Sequence, residues 1–141
     1  MKLETIELEV IIPFYNEEEN IEFFFNDLFV FFENLEKIRD LDIFFILVDN
    51  GSEDLTYDKL NKKIESFHYK KNIKIIKIKK NKGYGYGICQ GLKKSTKDFT
   101  AWTHSDGQTD IMDIIIGAKK LKELIKNNYN KKILIKGNRK N

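Results

Sequence analysis

A chain of 141 residues, 41% hydrophobic and 33% charged, carries enough apolar side chains for one packed core and excludes a disordered or fibrous protein. The formal net charge of only +3, with lysines along the whole chain, gives nucleic-acid binding no support and leaves room only for weak attraction to anionic phosphates or lipid head groups. A single cysteine, Cys89, excludes an internal disulfide framework and suits a reducing compartment.

The first nine residues hold Glu4, Glu7 and Glu9 and no apolar stretch of the kind a signal peptide needs. No apolar run approaches the roughly 20 residues of a membrane span. The expectation is a soluble, cytoplasmic domain.

Short apolar runs alternate with longer amphipathic ones, the pattern of βα units around a mostly parallel sheet. Leu8 to Pro13 reads as the first strand. Asn16, followed by Glu19, resembles a capping box that opens a helix. Its apolar positions are Ile21, Phe24, Phe25, Leu28, Phe31, Phe32, Leu35 and Ile38, and the phenylalanines are read as core. Asp42 to Asp49 is apolar at most positions, as a strand buried on both faces should be. A turn, Asn50-Gly51-Ser52-Glu53-Asp54, leads into a helix over Thr56 to Tyr69. A third strand is expected over Ile73 to Lys79, where alternating lysines mark a solvated side. A glycine-rich loop, Asn81 to Gly87, precedes a helix over Ile88 to Ser95. Cys89 within it reads as a small packed hydrophobe. Phe99 to Thr103 forms a fourth strand, His104 to Asp110 a polar loop, and Met112 to Asn127 the last helix. Ile133 to Gly137 starts a further strand, so the chain looks cut short.

In open α/β sheets, ligands bind outside the carboxyl ends of the strands. Four polar or glycine-bearing loops fall there: Tyr15-Asn16-Glu17, Asp49-Asn50, Gly83-Tyr84-Gly85 and His104 to Asp110. Together they suit a charged, aromatic-bearing ligand such as a nucleotide. The last loop is the most specific, with Asp106, His104 and Gln108 close together. A hard divalent cation takes oxygen ligands and keeps sites for substrate phosphates, so one or two protein ligands are enough. The plain alternative is that Asp106 and Asp110 cap the turn and the helix that follows.

These segments resemble glycosyltransferase family 2, which has the GT-A fold, a three-layer α/β sandwich. Val10-Ile11-Ile12-Pro13-Phe14-Tyr15-Asn16-Glu17-Glu18 is similar to the opening motif of that family, and Ile46 to Asp54 to its second. Asn81-Lys82-Gly83-Tyr84-Gly85 resembles the segment before its metal motif, and Ser105-Asp106-Gly107-Gln108 the metal motif itself. The nearest look is to polyprenyl-phosphate sugar transferases. The resemblance implies one partial domain over residues 1–141 that binds a nucleotide-diphosphate sugar. Pro13, Tyr15, Asn16, Glu17, Asp49, Asn50, Gly83, Gly85 and Asp106 would contact the nucleotide. Asp106, with His104 and Gln108, would hold Mg²⁺ or Mn²⁺. Arg139, in Gly137-Asn138-Arg139, would meet phosphate. The acceptor would be a lipid phosphate or a glycan. A lipid acceptor places the protein at the inner face of a membrane, in peripheral contact with it.

Two positions depart from the family pattern. His104 stands where the metal motif often has its first aspartate, and imidazole ligates Mn²⁺ without adding negative charge. Asn50 replaces a second aspartate and offers a different donor pattern. The general base of an inverting transferase lies, in the family, beyond Asn141, so no catalytic residue is assigned. A truncated, non-catalytic nucleotide-binding module is the alternative. A dinucleotide-dependent oxidoreductase is weaker: Gly85, Gly87 and Gly91 are spaced G-x-G-x-x-x-G and follow the third strand rather than the first.

Overall fold

The structure, a computed structural model, describes residues 5–127 and 132–138. Its elements in chain order are β1 (Ile6–Phe14), α1 (Ile21–Leu35), β2 (Leu41–Asn50), α2 (Thr56–Ser66), β3 (Ile73–Ile78), α3 (Tyr84–Lys94), β4 (Phe99–Trp102) and α4 (Asp113–Lys126), with one 3₁₀ turn at Lys70–Asn72. The four strands form one sheet in the order β3-β2-β1-β4, and every pairing is parallel. β1 is therefore an inner strand, and nearly all of it is buried.

Side chains alternate across a strand, and here the alternation divides two cores. On one face Val10, Ile12, Phe45 and Leu47 pack against α1, Leu60 of α2, and Ile115 and Leu121 of α4. On the other face Ile11, Ile46 and Val48 meet Leu92 of α3. The result is three layers, with the sheet between α3 and the other helices. Four phenylalanines of α1 are buried as expected, and Phe31 and Phe32 meet Phe45 edge-on. Phe23 and Phe29 point outward instead.

Several boundaries differ from the sequence reading. α1 begins at Ile21, because Asn16 adopts a left-handed backbone (φ 51°) and gives its side chain to Glu53 rather than to a helix start. The α2 helix stops at Ser66. Phe67 then turns its ring back onto Phe25, and Tyr69 stacks on Phe32, so the aromatic core ends the helix early. α3 begins at Tyr84, four residues before the expected start, and takes Gly85 and Gly87 out of the loop. A Cβ on Gly91 would lie 2.4 Å from Ile11 Cγ2; this glycine lets α3 approach the sheet. Cys89 lies on the exposed side of α3 and is not packed. Residues 132–138 form no strand: Ile133 packs on the main core, but Leu134 is exposed. Arg139 lies outside the described residues.

Candidate functional site

The loops after β1 and β2 are laced together by side chains that accept from backbone. Asn16 N–H donates to Ser52 Oγ (3.0 Å), Glu17 N–H to Thr56 Oγ1 (2.8 Å) and Glu18 N–H to Asp54 Oδ2 (3.3 Å). In return, Glu53 N–H donates to Asn16 Oδ1 (2.9 Å). Three consecutive amides of the first loop are thus held by the alternating residues Ser52, Asp54 and Thr56. Thr56 is wholly buried and its hydroxyl donates to Asp54 Oδ1. Burial alone would push the Asp54 carboxyl up; the Thr56 hydroxyl and amide and the Glu18 amide outweigh it and hold it below its ordinary value.

Asp49 and Asn50, at the carboxyl end of β2, are both buried. Asp49 Oδ1 accepts from Ser52 N–H (3.2 Å), and Asn50 Nδ2 donates to Gly83 O (3.1 Å). The second carboxylate oxygen, Asp49 Oδ2, and the amide oxygen, Asn50 Oδ1, accept nothing among the described residues. Two adjacent buried acceptors without donors are costly in a core, and functional sites are where such groups occur. The next residue, Gly51, has φ +75°, and a Cβ there would stand 2.3 Å from Asn81 N. Only glycine lets the third loop come this close to the second.

The third and fourth loops meet through aromatic rings. Tyr84, first residue of α3, stacks on His104 with centroids 5.0 Å apart. Burial, and then the negative charge of Asp106, raise the Tyr84 phenol above its ordinary value. Asp106 is exposed, and its Oδ1 accepts from Gln108 N–H (3.1 Å) within the same loop. Asp110 Oδ1 accepts from Met112 N–H (2.9 Å), so this residue shapes the turn into α4, as the plain reading had it.

These four loops enclose a cleft of about 300 Å³ at the carboxyl edge of the sheet. Of the residues singled out from sequence, Pro13, Tyr15, Glu17, Asn50, His104 and Asp106 line it. Asn16, Asp49, Gly83, Gly85 and Gln108 do not; Asn16 and Asp49 brace the loops, and Gly85 belongs to α3. Asn81, Tyr84 and Ser105 line it without having been singled out as ligand contacts. An aromatic residue directly after the helix-capping Gly83 was the available signal for Tyr84. A second cleft, about 210 Å³, shares His104, Ser105 and Asp106 and extends between Phe23, Asp27 and Thr109.

Among the described residues, no three histidine, cysteine, aspartate or glutamate side chains cluster to enclose a metal. The donors lining the cleft are the carboxylates of Asp106 and Glu17 and the His104 imidazole. That sparse set fits a hard cation that arrives with a diphosphate, and does not fit a closed structural site. No helix among the described residues is long and apolar enough to cross a membrane.

A parallel α/β sheet with helices on both faces and a cleft at its carboxyl edge defines a domain of the Rossmann-like, GT-A kind. The chain matches the model of Glycosyl transferase family 2 over residues 9–129, and it belongs to that family. It is 30% identical over 113 residues to a dolichyl-phosphate beta-glucosyltransferase of Dictyostelium discoideum, covering 79% of this chain and 34% of that protein. It is 31% identical over 93 residues to a dolichol-phosphate mannosyltransferase of Pyrococcus furiosus, covering 66% and 24%. In fold it is similar to a mannosyltransferase of Pyrobaculum calidifontis solved in complex with GDP-Man and Mn²⁺. The TM-score is 0.58 at 21% identity, over 80% of this chain and 31% of that one. The chain thus spans about a third or less of the length of these relatives.

Proposed function

We propose that this domain binds a nucleoside-diphosphate sugar in the larger cleft, as the donor-binding part of an enzyme that passes the sugar to a polyprenyl phosphate. The observation that carries the reading is the convergence of Tyr15, Glu17, Asn50, Tyr84, His104 and Asp106 on one cleft at the carboxyl edge. The relatives named for dolichyl-phosphate transfer, and the neighbour that holds GDP-Man and Mn²⁺, supply the substrate class.

Each residue has a task that its surroundings suit. Tyr15, half-exposed on a loop braced by Ser52 and Thr56, offers a fixed face for the base. Asn50 Oδ1 is an acceptor with no donor, and its amide nitrogen is already engaged by Gly83 O. An amino or ring N–H of a bound base is the kind of donor that this oxygen lacks. Asp106 Oδ2, assisted by His104 and Gln108, would hold Mg²⁺ or Mn²⁺. What the cation supplies when bound is charge neutralisation on the diphosphate, which makes the nucleotide a better leaving group.

Calorimetric titration with GDP, UDP and ADP, each with and without Mn²⁺, tests the reading. Binding of GDP or UDP that tightens with Mn²⁺ is expected. Tight NAD(H) binding indifferent to metal would sink it in favour of a dinucleotide site. The glycines of such a site do not form a phosphate loop here: Gly85 and Gly87 lie inside α3.

A further inference from the structure

Asn50 and His104 are the two positions at which the sequence departs from the pattern of its family, and they lie on different loops, after β2 and after β4. The fold joins them through the first turn of α3. Asn50 is only 2% exposed, and its Nδ2 donates to Gly83 O at 3.1 Å. The same carbonyl accepts from Gly87 N–H at 3.3 Å, the first bond of the helix. Gly87 in turn lies against the Asn50 amide, since a Cβ there would stand 2.9 Å from both Cγ and Nδ2. One buried side chain thus meets both ends of a single helical turn.

Tyr84 sits inside that turn. It follows Gly83, whose φ of +100° sets the entry to α3, and its ring stacks on His104 with centroids 5.0 Å apart. Among the described residues this stack is the one aromatic contact of His104. Whatever fixes the first turn of α3 therefore fixes the ring on which the imidazole lies.

We propose that Asn50 is a positioning residue for His104, acting through Gly83 and the Tyr84 ring. An amide suits this place and a carboxylate does not. Gly83 O has a second lone pair to fill, and asparagine supplies an N–H for it; an aspartate would set an anionic oxygen against a carbonyl in a buried spot. Asparagine at 50 and histidine at 104 then belong to one arrangement: the amide holds the turn, the turn holds the ring, and the ring holds the imidazole in the cleft. The placement follows from contacts within the chain and needs no ligand. Only its effect on nucleotide binding rests on the proposed function.

The test is proton NMR of the full chain without nucleotide, at about pH 8.5, where an ordinary imidazole is neutral. The chain has two histidines. The ring protons of His104 should be shifted upfield by Tyr84 and show Overhauser contacts to it, and Tyr84→Leu supplies the unstacked reference. His68, which meets Tyr69 at a steep angle elsewhere in the fold, is the internal control. Asn50→Asp keeps an acceptor oxygen and removes the donor; Asn50→Leu keeps the shape and removes the donor without adding charge. Both variants should move the His104 signals most of the way to those of Tyr84→Leu, lose the Overhauser contacts and leave His68 unmoved. If Asn50→Asp fails to fold, Asn50→Leu decides alone. An intact stack in Asn50→Leu would overturn the proposal, because any change in Asn50→Asp would then belong to its charge. A second arm measures GDP affinity with Mn²⁺ in a double-mutant cycle. Part of the loss caused by Asn50→Leu, up to about tenfold, should vanish in the His104→Ala background. Strictly additive losses would also overturn the link. A wild-type chain that binds no nucleotide would sink the proposed function, while the NMR comparison would still decide the role of Asn50.

Discussion

His104 lies face to face with Tyr84, the two rings inclined by only 12°. The contact joins the first turn of α3 to the loop that follows β4, and both residues line the larger cleft. An aromatic pair of this kind contributes about 0.5–1.5 kcal/mol beyond its buried area. Tyr84→Ala should release His104 and weaken nucleoside-diphosphate binding by up to about tenfold. Tyr84→Phe keeps the stack and should cost much less. Equal losses in the two variants would assign the effect to the hydroxyl rather than to the ring.

The loop after β1 depends on one buried hydroxyl. Thr56 Oγ1 accepts from Glu17 N–H and donates to Asp54, and nothing else among the described residues stands in for it. Thr56→Val keeps the shape and removes both bonds, which should cost about 1–3 kcal/mol of stability. It should also weaken nucleotide binding, because Tyr15 and Glu17 ride on the loop. Thr56→Ser keeps the hydroxyl and should restore most of both. Thermal melts paired with titrations of the two variants check this.

The strands and the order of the four motifs were legible in the sequence because a parallel sheet buries whole strands as apolar runs, and Ile11-Ile12 and Phe45 to Val48 are such runs. The starts of α1 and α3 were not. Asn16 and Glu19 have the spacing of a capping box, yet three successive amides of that loop are claimed by residues nearly forty positions later, and local spacing carries no trace of that competition. Gly85 and Gly87 read as loop because glycine usually marks one. Here close packing of α3 on the sheet calls for a small residue at Gly87, where a Cβ would lie 2.9 Å from Asn50 Cγ, whereas Gly85 faces open space. Tyr84 escaped because its role as a cleft wall depends on a ring twenty residues away.

A buried carboxylate predicts how the fold responds to acid. Glu9 is wholly buried in β1, where it accepts from Ser95 Oγ (2.7 Å) and Thr96 N–H (2.8 Å) and pairs with Lys74. Burial alone would raise its carboxyl; those donors and the lysine outweigh burial and hold it below the ordinary value of 4.5. A group whose folded value is depressed stabilises the fold above its unfolded value, and that contribution is lost as pH falls through the folded one. Asp54 behaves in the same direction. The melting temperature should therefore fall steeply once pH drops below about 4.5. Glu9→Gln should be less stable at neutral pH, and its acid decline should be shallower. A decline identical to that of the wild type would remove Glu9 from the account.

Asp106 is the sharpest test of the metal assignment, because the substitution can be made without disturbing the turn. Its Oδ1 accepts from Gln108 N–H, and an asparagine oxygen can do the same, so Asp106→Asn should melt as the wild type does. What it removes is the negative charge that would face a cation. A charge-assisted contact is worth about 1.5–3 kcal/mol, or about tenfold to a hundredfold in affinity. Titration with GDP and UDP should show this loss only when Mn²⁺ or Mg²⁺ is present. His104→Ala should cost less of the metal-dependent part, since imidazole adds no charge, but it should also weaken metal-free binding by breaking the stack on Tyr84. Asp110→Ala should leave binding alone and lower stability by about 1 kcal/mol, the usual cost of losing a hydrogen bond to a turn amide. The three variants separate three roles for one loop: cation ligand, ring support and turn. Metal dependence that survives in Asp106→Asn would move the cation away from this carboxylate, and with it the diphosphate end of the proposed substrate.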